Sequence, residues 1–398
     1  MNLNSSSLAF FIPFLTCSVW LQSCDEATEN ELQQHKNHLR PISEVHLNIN
    51  DLEIQVDATA RISQGVIQTS EPSFGQVNLL SLAGFWVTQD GLDEKYANLI
   101  WYYYPESNYT AHWQDSTRGV LQISPGSVDP DTIEWPLSEG FPVYNDGRPA
   151  LLGDVMLWSA LAADTVQGGE SFYQHPIPGV QFTQMVWAYS EPDFARSVFF
   201  RKTVENQTSQ PREGIRISFW ADMDLDGSIN ATGYDSSRAL SYTYTPTDSG
   251  YTYVAGLTFL EVNGETTPHD LVSSHRIMRK NNYIDPDFGE MVESVDQFIY
   301  AARGLSNSGQ PMVNPITSEE TNYAFTGNPL LGTGWLDVPI DVRSLINGPA
   351  STLSSGGHLS ATVVITVVAG DDLGEALMLL GQQVDTIRSQ SYLWQLDH

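Results

Sequence analysis

Apolar and polar residues alternate with a period of two along most of this chain from residue 45 onward. His46-Leu47-Asn48-Ile49-Asn50, Leu52-Glu53-Ile54-Gln55-Val56-Asp57 and Ala60-Arg61-Ile62-Ser63 each alternate between turn residues, which predicts half-buried strands. Residues 180–189, 197–204, 251–257 and 361–368 repeat the strand signal, and 79–87 is a nearly continuous apolar run suited to a strand buried on both faces. Leu99-Ile100-Trp101-Tyr102-Tyr103-Tyr104 predicts a further strand, ended by Pro105. Residues 124–149 are rich in Pro, Gly and Asp and predict loops. A helical period shows clearly once, over 371–389, where Leu373, Ala376, Leu377, Leu380, Val384 and Ile387 share one face. Asp371 or Asp372 suits its N-cap and Arg388 its C-terminal end. A shorter helix is expected over 289–302. Turn signals without a βαβ rhythm predict a mainly β protein: one large antiparallel β-sandwich over 45–390, closed by a C-terminal amphipathic helix.

The densest chemistry lies in Ser218-Phe219-Trp220-Ala221-Asp222-Met223-Asp224-Leu225-Asp226-Gly227-Ser228-Ile229-Asn230. Carboxylates at alternate positions followed by Gly resemble the acidic half of a calcium loop, because a hard cation takes about six to eight oxygen ligands. Gly227 permits the backbone turn that folds such a loop around an ion. A helix-loop-helix calcium site would carry Glu at the twelfth position, which here is Gly233. The flanks, 215–220 and 239–244, alternate like strands. The expectation is therefore a calcium loop between two strands, with ligands Asp222, Asp224, Asp226, Ser228, Asn230 and a closing carboxylate such as Asp235. An acidic turn without a metal is the plainer alternative. Asp341 and Arg343, two apart on a strand, would face the same side as an ion pair.

The first residues suggest an export signal. A polar start is followed by an apolar run from Leu8 to Leu21, interrupted by Pro13 and too short to span a membrane. It ends in Leu21-Gln22-Ser23-Cys24, which resembles a bacterial lipobox and predicts cleavage after residue 23 and acylation of Cys24. No Lys or Arg precedes the apolar run, so an ordinary secretory signal is the alternative. The two cysteines, Cys17 and Cys24, both fall in this segment, which rules out a disulfide framework in the body. Residues 24–44 are polar and charged, as a tether would be, and His35 and His38 lie there without a nearby third ligand.

Charge narrows the partners. The chain carries 48 acidic against 18 basic residues, a net charge of −30, so it cannot neutralise a row of phosphates and is not expected to bind nucleic acid. Anionic membrane surfaces are equally unfavourable, which leaves the acyl anchor as the expected membrane link. With 10 Trp and 17 Tyr, aromatic surfaces for a glycan become conceivable, although core packing accounts for most such residues.

In order along the chain, Ala83-Gly84-Phe85-Trp86-Val87, Asp146-Gly147-Arg148-Pro149, Gly153-Asp154-Val155-Met156-Leu157-Trp158 and Ile177-Pro178-Gly179-Val180-Gln181-Phe182 form a series of short motifs. It continues with Trp220-Ala221-Asp222-Met223-Asp224, Gly233-Tyr234-Asp235, Gly327-Asn328-Pro329, Gly332-Thr333-Gly334-Trp335-Leu336-Asp337, Asp341-Val342-Arg343 and Val367-Val368-Ala369-Gly370-Asp371-Asp372-Leu373. With this series the body resembles a widespread, functionally uncharacterised group of exported bacterial proteins, many of which end in a type IX secretion sorting module. Asn328 stands where such proteins tend to have Asp, and Ala162-Ala163-Asp164 replaces their usual Asn-Asp pair. The resemblance implies a secreted, β-rich, cation-stabilised body and no particular activity. With no sorting module after residue 390, the lipobox is expected to serve as the anchor.

Nucleophile elbows, zinc helices, phosphate loops and dinucleotide loops are absent from the sequence. His112, His175, His269, His275 and His358 are dispersed and read as surface or core residues. The function expected is that of a non-enzymatic envelope protein, lipid-anchored in the periplasm or at the surface or else secreted, that binds a glycan or an envelope protein or serves as a structural component. The alternative is an extracellular hydrolase acting on polysaccharide, which needs only two suitably spaced carboxyls.

Overall fold

The computed structural model describes residues 44–49, 51–57, 62–68, 76–91, 95–98, 120–162, 177–227, 229–246, 252–279, 288–289 and 294–396. The expected signal segment, Cys24, most of the tether, the strand at 99–104 and Ser228 lie outside the described residues. The chain divides into two units, residues 1–39 with 129–135, and residues 40–128 with 136–398. In the first, the described residues form a 3-10 turn, Pro130–Thr132, capped by the Asp129 side chain, which accepts from the Asp131 N–H. All that follows concerns the second.

Its strands are β1 (Glu44–Asn48), β2 (Leu52–Asp57), β3 (Ile62–Gln68), β4 (Gln76–Leu80), β5 (Leu82–Asp90), β6 (Lys95–Asn98) and β7 (Leu121–Ile123). Then come β8 (Val155–Ala162), β9 (Val180–Ala188), β10 (Ser197–Asn206), β11 (Arg212–Asp222), β12 (Ala231–Asp235), β13 (Leu240–Tyr244) and β14 (Thr252–Val262). The last are β15 (Ser274–Arg279), β16 (Met312–Val313), β17 (Glu320–Thr321), β18 (Val342–Asn347), β19 (Ser351–Leu353) and β20 (His358–Gly370). Helices α1 (Pro268–Leu271), α2 (Val295–Ala302) and α3 (Leu373–Ser389) complete the set.

A ten-stranded sheet runs β1-β2-β3-β5-β11-β18-β15, with β4, β6 and β19 as side partners, and an eight-stranded sheet runs β12-β13-β14-β20-β10-β9-β8-β7. Every strand pair in both sheets is antiparallel, and together they make the expected β-sandwich. Alternate residues of β5 and β11 (Phe85, Val87, Ile217, Phe219) meet those of β10, β14 and β20 (Phe200, Phe259, Val363, Ile365) in one core. Phe219 anchors it, edge-on to Phe85 at 4.8 Å and tilted against Phe200 at 5.6 Å. The opposite residues of the ten-stranded sheet, Trp86 and Trp220, stack at 6.5 Å under Phe298 of α2.

The C-terminal helix forms where the 3.6 period placed it. Asp372 caps it by accepting from the Glu375 N–H at 2.9 Å. Ala376, Leu380 and Val384 pack on Leu240, Tyr242 and Val254, on the outer side of the eight-stranded sheet. Gly256 permits the approach, since a Cβ there would come within 2.7 Å of Leu380. Arg388 does more than complement the helix end: it donates to Thr258 Oγ1 at 2.8 Å and to the Phe259 carbonyl at 3.2 Å, tying the helix to β14. The continuous strand expected over 79–87 is instead broken at Ser81, where a bend separates β4 from β5. The reason is that Ser81 serves the acidic loop, as described below.

One core residue breaks the apolar pattern. Lys202 on β10 lies between the core residues Phe200 and Val204, is 1% exposed, and has its ammonium nitrogen 4.9 Å from the Phe182 ring centre. It has no hydrogen-bond partner among the described residues, and burial pushes its amine down to about 7. The unfolded chain takes up a proton near pH 10.5 that the folded chain resists until about pH 7, so stability falls as pH drops through that window and levels off below it. Lys202→Met is expected to raise stability at pH 7 by on the order of 3 kcal/mol. Thermal melts from pH 7 to 10 should show a gap between variant and parent that shrinks as pH rises; a gap independent of pH would contradict the assignment.

Candidate functional site

The acidic stretch leaves β11 in the ten-stranded sheet and enters β12 in the eight-stranded sheet, so it is a crossover between the two layers. The expected loop between two strands is present, and its two strands belong to different sheets. Its shape comes from the backbone. Asp226 adopts φ +54° and Gly227 φ +130°, and the Asp226 N–H donates to the Asn78 carbonyl at 3.0 Å. Asn230, 1% exposed, closes the loop: its Oδ1 accepts from the Leu225 N–H at 3.1 Å, and its Nδ2 donates to the Leu225 carbonyl at 2.9 Å and to Thr245 Oγ1 at 3.1 Å. The bend between β4 and β5 docks against the same loop. The Ser81 N–H donates to the Asp222 carbonyl at 2.9 Å, and the Ser81 hydroxyl donates to Asp224 Oδ2.

Asp222 and Asp224 are brought together with a third carboxylate, Asp341, and one oxygen of each lies within 4.8 Å of the others. Asp341 arrives because the Ile340 N–H donates to the Asn230 carbonyl at 3.1 Å and because β18 pairs with β11, Ala221 opposite Ser344. Arg343, one step past that pair, sits at the centre. Its Nη2 lies 3.1 Å from Asp222 Oδ2, and its Nη1 donates to Asp341 Oδ1. Asp222 and Arg343 are nearly sealed, with side chains 3% exposed. One guanidinium thus pairs with two of the three carboxylates, and the group carries a local excess of two negative charges in a partly desolvated place. The donors are all hard oxygens, which fit calcium, magnesium or manganese and not softer metals.

The other expected ligands stand elsewhere. Asp226 is exposed and outside the three-carboxylate group. Asp235 holds its own turn, accepting from the Ser237 N–H and hydroxyl at 2.9 and 2.6 Å and from Arg238 at 3.1 Å. Burial works to raise the Asp235 carboxyl, but those hydrogen bonds outweigh it and hold it below the usual range. Asp154 fixes a separate turn by accepting from Ser190.

The sandwich interior beside the loop is polar. Asp337 accepts from Arg279 at 3.1 Å and from the Thr232 N–H at 3.0 Å, yet burial pushes its carboxyl above the ordinary value. His275, fully buried, joins the sheets: its Nε2 is 3.0 Å from the Ser241 hydroxyl, and its Nδ1 is 3.1 Å from the Ala324 carbonyl. The carbonyl takes the Nδ1 proton and leaves Nε2 to accept from Ser241. Burial lowers its imidazole to about 4, which keeps it neutral. A Ser–His hydrogen bond is also the first requirement of a hydrolytic nucleophile. Here Ser241 is 1% exposed, so the pair packs as a cross-sheet link.

No family model and no curated protein matches the chain. Among solved structures it is similar to the Slr1438 protein of Synechocystis sp. PCC 6803, at 9% identity with a TM-score of 0.30 over 82% of this chain and 96% of that one. It is also similar to the amine oxidase of Aspergillus nidulans, at 10% identity with a TM-score of 0.27 over 79% of this chain and 52% of that one. Likenesses this distant say nothing about activity, which rests on the residues themselves.

Removing Arg343 leaves Asp222 buried opposite two further carboxylates. Arg343→Met is expected to cost about 3–5 kcal/mol, the range for breaking a buried pair from one side. Calorimetry would check it, and a loss below about 1 kcal/mol would show that the cluster is not held by this guanidinium.

Proposed function

We propose that this chain is an extracytoplasmic binding protein: a β-sandwich braced by a hard divalent cation, calcium foremost, and tethered outside the cytoplasm through acylated Cys24. Its partner is a glycan of the cell envelope. The observation that carries the reading is the meeting of Asp222, Asp224 and Asp341 at the crossover between the sheets, with one guanidinium pairing two of them. Two uncompensated charges at that point repel each other, and a divalent cation offsets them without adding apolar bulk. Three carboxylates supply part of a calcium shell, and backbone carbonyls or water supply the remainder. Extracellular modules hold calcium with affinities of about 10⁻⁴ to 10⁻³ M, which suits a protein exposed to an external calcium supply. The net charge of −30 and the lipobox-like Leu21-Gln22-Ser23-Cys24 fit the same location.

Chelation tests the brace. A ligand at about 100 times its dissociation constant adds about 2.7 kcal/mol to stability. Calcium in that excess is expected to raise the melting temperature by several degrees over the chelated protein. Asp341→Asn should remove most of that shift. An identical midpoint with chelator and with calcium would overturn the cation reading, and a Cys24→Ala variant that still partitions with membranes would overturn the tether.

A further inference from the structure

On the outer side of the eight-stranded sheet, where α3 meets β12, β13 and the turn at 326–330, lies a cavity of about 320 Å³. Its size is at the lower end of the roughly 300–1,000 Å³ typical of small-molecule sites, room for one ring-sized ligand. Leu240, Leu377 and Leu380 give it an apolar side. Tyr242 lines it as well, although it is only 7% exposed, whereas the Tyr234 ring turns to the inner face of the sheet and stacks on His275 at 4.9 Å and Tyr323 at 5.0 Å. The Tyr242 hydroxyl has no hydrogen-bond partner among the described residues. A phenolic hydroxyl without a protein partner can donate and accept, and here it belongs to a side chain that borders open space.

The backbone is arranged to keep Tyr242 there. The end of its ring lies over Gly233, where an added Cβ would come within 2.2 Å of both Cζ and the hydroxyl oxygen. Any larger residue at 233 would push the phenol off the sheet. Asn328 faces the same cavity with its amide fixed: Oδ1 accepts from the Leu330 and Leu331 N–H groups at 3.0 and 3.1 Å, leaving the Nδ2 protons to donate. Asp235 adds a carboxylate already oriented by Ser237 and Arg238. An apolar wall, one phenol, one amide donor and one carboxylate acceptor together match a ring with one C–H face and several hydroxyls. Charge narrows the choice further. Arg238, beside the cavity-lining Gly381, is shared between Asp235 and Asp385 and so is not free to neutralise an anionic sugar.

We propose that this cavity is a binding subsite for one neutral pyranose ring of a glycan, with Tyr242 and Asn328 as its specificity-determining residues. The proposal rests on the reading of the protein as a glycan binder and names where that binding occurs. The two are separable by experiment. Soluble neutral polysaccharides test the reading by affinity electrophoresis. Methyl glucoside, methyl galactoside, methyl mannoside and glucuronate test the subsite by saturation-transfer NMR and calorimetry, each on the parent, Tyr242→Phe and Asn328→Asp. At least one neutral glycoside is expected to bind saturably, glucuronate not, and each variant to weaken binding about three- to tenfold, the value of one lost hydrogen bond. Tyr242→Phe keeps the ring; if it melts early, Asn328→Asp carries the test alone. Polysaccharide binding that both variants retain in full would overturn the subsite and leave the reading intact. Absence of binding to any polysaccharide or glycoside would overturn both.

Discussion

Three carboxylates drawn together, two of them by a single guanidinium, at the point where the chain steps from one sheet to the other set the conditions for the rest of this molecule. Asp222 ends β11, Asp224 lies in the crossover, and Asp341 precedes β18, so the cluster draws on segments more than a hundred residues apart. Ser81 and Asn230 hold its two flanks by hydrogen bonds to the loop. The break between β4 and β5 follows from this arrangement, because a straight strand there could not offer both the amide and the hydroxyl of Ser81 to the loop.

The sandwich is divided by polarity as a result. Toward Phe85, Phe200 and Phe219 the layers meet through apolar contact. Beside the crossover they meet through directional bonds: Ser241 with His275, Thr232 with Asp337, and Asp337 with Arg279. Apolar contact sets how tightly the layers close, whereas buried polar pairs penalise any shift in register that leaves a partner unsatisfied. Such an end gives one defined alignment of β12 and β13, and those strands carry Asp235 and Tyr242 into the cavity under α3. The brace and the cavity are thus linked through two short strands.

Much of the architecture was legible in the chain. Period-two alternation marked β1, β2, β9 and β10, and the 3.6 period marked α3, because burial on one face leaves its mark on each residue locally. The acidic loop was also visible, as alternate Asp residues before Gly227. Its third carboxylate was not assigned to it. Asp341 reaches the site only through the pairing of β11 with β18, and no local pattern encodes which distant strand pairs with which. The Asp341–Arg343 pairing was foreseeable from two-residue spacing, whereas Arg343's second partner, Asp222, was not. Asn230 and Asp235 carry ligand-type side chains, but both spend them on their own turns, a habit of Asn and Asp that spacing alone does not distinguish from metal binding. The cavity under α3 left no sequence signal, since its residues come from three separated segments.

The most direct test of the central claim is anomalous diffraction from crystals of the protein soaked in manganese, a cation with the same preference for hard oxygens. The account requires a peak within bonding reach of Asp222, Asp224 and Asp341 that vanishes in Asp341→Asn. A peak at exposed Asp226 alone, or none near the crossover, would contradict it.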